Sequence, residues 1–141
     1  MKIIKNCWDV IGASECIYGA HLFEKSVAKI YVARGLDVGN EMGKLFFKKD
    51  KDGFAGHCLL VFHGVRLFDL SITSYEEEGD KVIWHAPAVF RYKGAEPEPL
   101  KGKKTEEYLL GGGLLGFRAY FAATIEAEDF EIHVLGEKEV G

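Results

Sequence analysis

Five histidines, His21, His57, His63, His85 and His133, are the residues of this chain best suited to proton transfer or metal ligation. If the run from Ala55 to Phe62 continues as one strand, His57 and His63 share a face with Leu59 and Val61, because residues at even separations do. Cys58 then points the other way. His85 ends another apolar run. Three imidazoles on adjoining strands would make a zinc site with an open fourth position. No pair stands at a tight metal spacing such as C-x-x-C or H-x-x-x-H, so strand-borne histidines satisfied by hydrogen bonds are the expectation, with no metal and no other cofactor assigned.

Asp69 shares a strand face with Leu67, Ser71 and Thr73, and Arg118 projects from the mixed face of a later strand. A carboxylate, an imidazole and a guanidinium around a barrel mouth or an inter-sheet cleft would suit acid–base chemistry on a small molecule. The same charges are what the outward face of an antiparallel sheet needs. Ser71 lacks the G-x-S-x-G setting of a hydrolase nucleophile, and Cys16 and Cys58 have no neighbouring base in the sequence. Trp8, Tyr18, Trp84 and Tyr92 are aromatics of the kind that anchor pockets and interfaces, and that also fill β cores. The candidate ligand-binding set is therefore His57, His63, His85, Asp69, Arg118, Trp84 and Tyr92, with no catalytic residue assigned.

Two apparent motifs fail on their surroundings. Gly111-Gly-Gly113-Leu-Leu-Gly116 matches G-x-G-x-x-G, with Glu137 about 20 residues on, as in a dinucleotide fingerprint. That fingerprint needs a helix after the glycines and further βαβ units, and the preceding hundred residues read as hairpins. Lys48-Lys-Asp50-Lys-Asp52-Gly53 has the density of a calcium loop. Aligning Gly53 with that loop's glycine puts Lys48 at the first ligand position and Leu59 where the bidentate Glu belongs. A hairpin turn at Asp52-Gly53 fits better.

The elements that must position these residues are strands. Phe117, Ala119, Phe121, Ala123 and Ile125 alternate with Arg118, Tyr120, Ala122, Thr124 and Glu126. Phe130, Ile132 and Val134 alternate with Glu131 and His133, and the two runs together predict a C-terminal antiparallel hairpin. Arg66 to Thr73 alternates in the same way, and Lys81–His85 and Ala88–Tyr92 flank a break at Ala86-Pro87. Gly64 marks a bulge or bend, and Glu78-Gly79-Asp80 a turn. Asp9 to Gly19 is irregular, and Val27 to Ala33 reads as a strand. Helices over Leu22–Arg34 and Leu115–Ala127 compete with this reading, because apolar residues there also recur at three- and four-residue spacing. The expected fold is mostly β: an antiparallel β-sandwich or β-barrel of about eight short strands, with at most one or two helices. It forms a single domain over residues 1–141, with a long exposed loop around 93–106 that holds Pro97 and Pro99.

Composition narrows the function classes. The 18 basic and 22 acidic residues form no long block, and the net charge is −4. A nucleic-acid partner, which needs a basic stripe, is not expected. The longest apolar run, Cys58 to Phe62, is far short of the roughly 20 residues of a membrane helix, so no membrane partner is expected. Three unevenly spaced cysteines and the lack of a leader-like start suggest reduced thiols in the cytoplasm. Apolar residues make up 48% of the chain and aromatics 13%. A domain of this size hides that much apolar surface with difficulty, so a homo-oligomer is expected. The sequence does not identify a function. A small cytoplasmic binding or protein-interaction domain is the expectation, and a small-molecule pocket with enzymatic chemistry is the alternative.

Overall fold

Wherever apolar and polar residues alternate, the chain is extended. The computed structural model describes residues 1–94 and 104–136. Most of the loop expected around 93–106 lies outside these residues, as does Glu137. The described strands are β1 (Lys2–Lys5), β2 (Cys16–Glu24), β3 (Val27–Arg34), β4 (Lys48–Lys49), β5 (Ala55–Gly56) and β6 (Cys58–His63), then β7 (Leu67–Glu78), β8 (Lys81–Trp84), β9 (Ala88–Lys93), β10 (Glu106–Leu114), β11 (Phe117–Ala127) and β12 (Asp129–Val134). A 3-10 turn at Trp8–Val10 and one short α-helix, α1 (Gly39–Gly43), are the helical elements among the described residues. Both segments that could have been helices are strands. In each, aromatic and β-branched residues cover a face that packs into the core, which favours the pleat over the helix.

The main sheet runs β1-β12-β6-β3-β2-β10-β11-β7-β8, with β9 also on β7. Its ends do not meet, so the arrangement is sandwich-like and the barrel alternative is not realised. The first five strands of this order form one layer and the remainder the other. Rings meet across the space between the layers: Phe62 and Phe130 lie 5.2 and 5.9 Å from Tyr108, and Tyr18 stacks on Phe121 at 4.6 Å. Such pairs add about 0.5–1.5 kcal/mol each beyond the area they bury. Leu36, Val38, Phe46 and Ala55, from the segment that carries α1 and the small β4–β5 sheet, extend the same core.

Three features differ from the expected pattern. First, β11 and β12 do not form a hairpin. β11 pairs with β10 and β7, whereas β12 pairs with β1 and β6. Only Glu128 separates them, too little chain for a two-residue turn. The chain instead rounds a corner from one layer to the other, as strands do in folded sheets. The Glu128 N–H donates to the His63 carbonyl, and the Arg66 N–H to the Glu126 carbonyl, which ties the β6–β7 bend at Gly64 to the same corner.

Second, the Ala55–Phe62 run is broken. His57 has φ of +54°, a left-handed conformation rare for residues with a Cβ, and it separates β5 from β6. The condition for His57 and His63 to share a strand face is therefore not met.

Third, one pairing is parallel: Gly112–Leu114 lies beside Cys16–Tyr18 and joins the layers. This extends β2 into the Asp9–Gly19 stretch that the sequence leaves irregular. It also accounts for the glycine run. A Cβ on Gly112 would lie 2.0 Å from the Cys16 carbonyl oxygen, so the two backbones can approach only if that residue is glycine. The G-x-G-x-x-G match sits in a strand and its turn, with no helix after it.

Candidate functional site

β7 is the longest strand, and its two halves have different surroundings. From Leu67 to Ile72 it lies between β11 and β9, and Thr73 and Ser74 still pair with β11. Beyond Ser74 it leaves the sheet and pairs with β8 alone, through Tyr75↔Trp84 to Glu78↔Lys81. The Gly79-Asp80 turn closes this ribbon, as the sequence predicts. Nearly every ribbon residue is exposed, including Val82, Ile83 and Trp84, and Trp84 retains 57% of its accessible surface. Its ring lies 4.9 Å from Tyr75. Two-stranded ribbons are marginal in water, so this arm exposes apolar surface with little to support it.

The register puts more large apolar residues on the same outer face. Tyr120 lies opposite Thr73, Val89 opposite Ser71, and Leu109 opposite Thr124. Leu109, Val89 and Tyr120 are all exposed, and the small residues Ser71, Ala122 and Thr124 floor a shallow groove of about 250 Å³ between Leu109 and Val89. The sheet edge beside the arm is guarded. Pro87 lies in the break between β8 and β9, and Lys81 and Lys93 stand at the ends of this edge. Proline, irregularity and lysine on an edge oppose strand addition. The face is open while the edge is protected.

Under the arm, on its inner side, lies a cleft of about 1110 Å³. His85 and Arg118 line it, together with Arg34, Ser74 and Glu76, between apolar walls that include Ile17, Leu115 and Phe117. The His85 Nε2 is 3.6 Å from a Glu76 oxygen, and the Arg118 Nε is 3.5 Å from Glu77. Among the described residues the Ser74 hydroxyl makes no hydrogen bond to His85, so no nucleophile–base pair is assembled. What the cleft offers is charge and shape.

Of the candidate residues, the fold gathers His85, Arg118 and Trp84 around the arm. The others lie elsewhere. Asp69 accepts a hydrogen bond from the Arg91 Nε at 2.8 Å on the outer face. His57 is buried, and its Nδ1 is 2.9 Å from the Tyr31 hydroxyl. Tyr92 packs among His21, Phe23 and Phe68, with its hydroxyl 3.1 Å from the His21 Nε2. Burial there lowers the His21 pKa.

His63 contacts one oxygen of Glu131, and His133 the other at 2.9 Å. Burial alone would raise the Glu131 pKa. Hydrogen bonds from His133 and His63 outweigh it and hold the carboxyl below its ordinary range. Among the described residues, no group of three His, Cys, Asp or Glu is placed to hold a metal ion. The three thiols are free and buried, and desolvation pushes Cys16 up to about 11 and Cys58 up to about 12, which makes them poor nucleophiles.

The sequence reading missed Arg34, Glu76, Leu115 and Phe117 as cleft residues. Each looks like an ordinary strand end or turn residue, and only the overhang of β7 gives them a common cavity. No described helix is long and apolar enough to cross a membrane. In comparisons with protein-family models, curated proteins and solved structures, this chain matches none.

Proposed function

We propose that this protein is a cytoplasmic interaction module that associates with a second copy of itself through the outer face of the arm. The observation that carries this reading is a two-stranded ribbon with Trp84 and Val82 exposed, continuous with Val89, Tyr120 and Leu109. Contiguous apolar surface of this kind usually marks an interface.

The charge pattern selects a second copy as the occupant. The tip carries Glu76, Glu77, Glu78 and Asp80 against Lys81, whereas Arg91 and Lys93 lie farther back on β9, opposite Asp69 and Leu67. Two arms packed antiparallel across a two-fold axis near Tyr120 set the acidic tip of each over Arg91 and Lys93 of the other, with Trp84 inside the contact. The contact is isologous, as in most soluble homodimers. The guarded edge favours face-to-face packing over strand addition. The free, buried thiols suit a reducing compartment.

Equilibrium sedimentation tests the reading. The wild type sediments as a dimer of the 15.7 kDa chain, and Trp84→Glu as a folded monomer. A wild type that stays monomeric at the highest soluble concentration, or a Trp84→Glu variant that stays dimeric, contradicts it.

A further inference from the structure

We infer that Arg34 is the anchor of a binding site for an amphiphilic organic anion, with a carboxylate or phosphate head and an apolar tail. The site lies on the inner side of the arm, away from the face assigned to association.

Arg34 lines two adjoining cavities. One is the cleft under the arm, and the other is a cleft of about 410 Å³ lined also by Tyr31, Lys48, Lys49, Asp50 and Phe54. Leu115 is the other residue common to both, so a guanidinium and a leucine stand at the saddle between them. Among the described residues the Arg34 side chain has neither an ion-pair nor a hydrogen-bond partner.

The nearby acids are already engaged. Asp50 Oδ1 accepts the N–H groups of Asp52 at 2.9 Å and Phe54 at 3.0 Å, within its own turn. Glu76 faces His85, and Glu77 faces Arg118. Arg34 and Lys49 put positive charge where the two clefts adjoin, on a chain whose net charge is −4. Such charge attracts an anion that the surface as a whole repels.

The backbone beneath Arg34 is held in place. Arg34 pairs with Ile17, and the β2–β3 register shifts immediately after it, between Ile17 and Tyr18. Bulges of this kind re-aim a side chain at a sheet's end. From the other side Gly56 presses on the same strand. A Cβ there would meet the Ala33 carbonyl oxygen at 2.1 Å and the Arg34 Cα at 2.9 Å. A fixed backbone keeps the guanidinium's point of attachment beside both clefts, and its fork suits a planar or a tetrahedral oxyanion. Beyond it, Ile17, Ile72, Leu114, Leu115 and Phe117 give the apolar wall for the tail.

Titration calorimetry with decanoate, decyl phosphate, decanol and decyltrimethylammonium tests this. Decanoate, decyl phosphate or both bind at a one-to-one ratio per chain, and whichever binds names the head group. Arg34→Gln weakens that binding by about tenfold or more, as expected for loss of a charge-assisted hydrogen bond, with the melting temperature unchanged. Arg34→Lys recovers part of it. Trp84→Glu, on the opposite face, binds as the wild type does, so failure of the association reading leaves this site testable. Binding of decanol or of the cation as tight as that of the anions overturns the proposal. So does the absence of anion binding, or full affinity in Arg34→Gln.

Discussion

The chain has two tryptophans, and they stand in opposite circumstances. Trp8 lies where the two layers meet, 5.0 Å from Tyr108 and 5.1 Å from Phe130, in a cluster that also holds Phe62. Trp84 lies where one layer outruns the other, with Tyr75 as its aromatic neighbour and solvent beyond. Trp8 itself sits on a 3-10 turn, but Phe130 beside it and the ribbon that carries Trp84 are written in the same alternation of apolar and polar residues. Alternation states which face of a strand is apolar. It does not state whether this chain supplies the cover. At Trp8 the opposite layer does so, and on our reading a second copy does so at Trp84.

The contrast is testable by truncating each side, and the largest effect belongs to the core. Phe130→Ala removes a buried ring that touches Trp8, Phe62 and Tyr108, and should cost about 3–5 kcal/mol in urea denaturation. Trp84→Ala, measured on dilute monomer, should cost under about 0.5 kcal/mol. Equal costs would mean that Trp84 is covered within the monomer.

An intermediate effect is expected at Gly56, where an added methyl meets backbone rather than open space. Gly56→Ala should destabilise by about 1–3 kcal/mol and weaken decanoate binding together with stability, because the strand that presents Arg34 must shift. A neutral substitution would show that β3 is not clamped there.

The smallest effect concerns the outer face of the core region, where charge is satisfied internally. The folded-state pKa of Glu131 is depressed, so its contribution is present above the ordinary value of 4.5 and is lost as pH falls through the folded-state pKa. Glu131→Gln should therefore be less stable than the wild type at neutral pH, and the gap should narrow well below pH 4.5. A gap independent of pH would exclude the His63–Glu131–His133 network as its source.

Much of the fold was legible because the strands obey period two. β12 and the first part of β7 follow directly from their alternation, β11 from an alternation that a helical spacing contests, and the turns at Asp52-Gly53 and Gly79-Asp80 from residues that tolerate positive φ. The corner at Glu128 was not legible, since a strand that switches layers alternates like one that turns back on its neighbour. The break at His57 was hidden because a histidine inside an apolar run fits a strand as readily as a left-handed kink.

The site was less legible than the fold. His85, Arg118 and Trp84 come together only because β7 extends past Ser74, a matter of relative strand length. Arg34 carries no sequence signal at all. Its setting comes from Gly56 and the Ile17 bulge, both distant along the chain.

A charge swap measures most directly whether two arms pack antiparallel, the tip of each over β9 of the other. Asp80→Lys and Lys93→Asp should each raise the dimer dissociation constant, by light scattering across a dilution series. In the double variant the charges face each other again in reversed sense, and the constant should return toward the wild-type value. Losses that simply add in the double variant, or single variants that dimerise like the wild type, would contradict the arrangement.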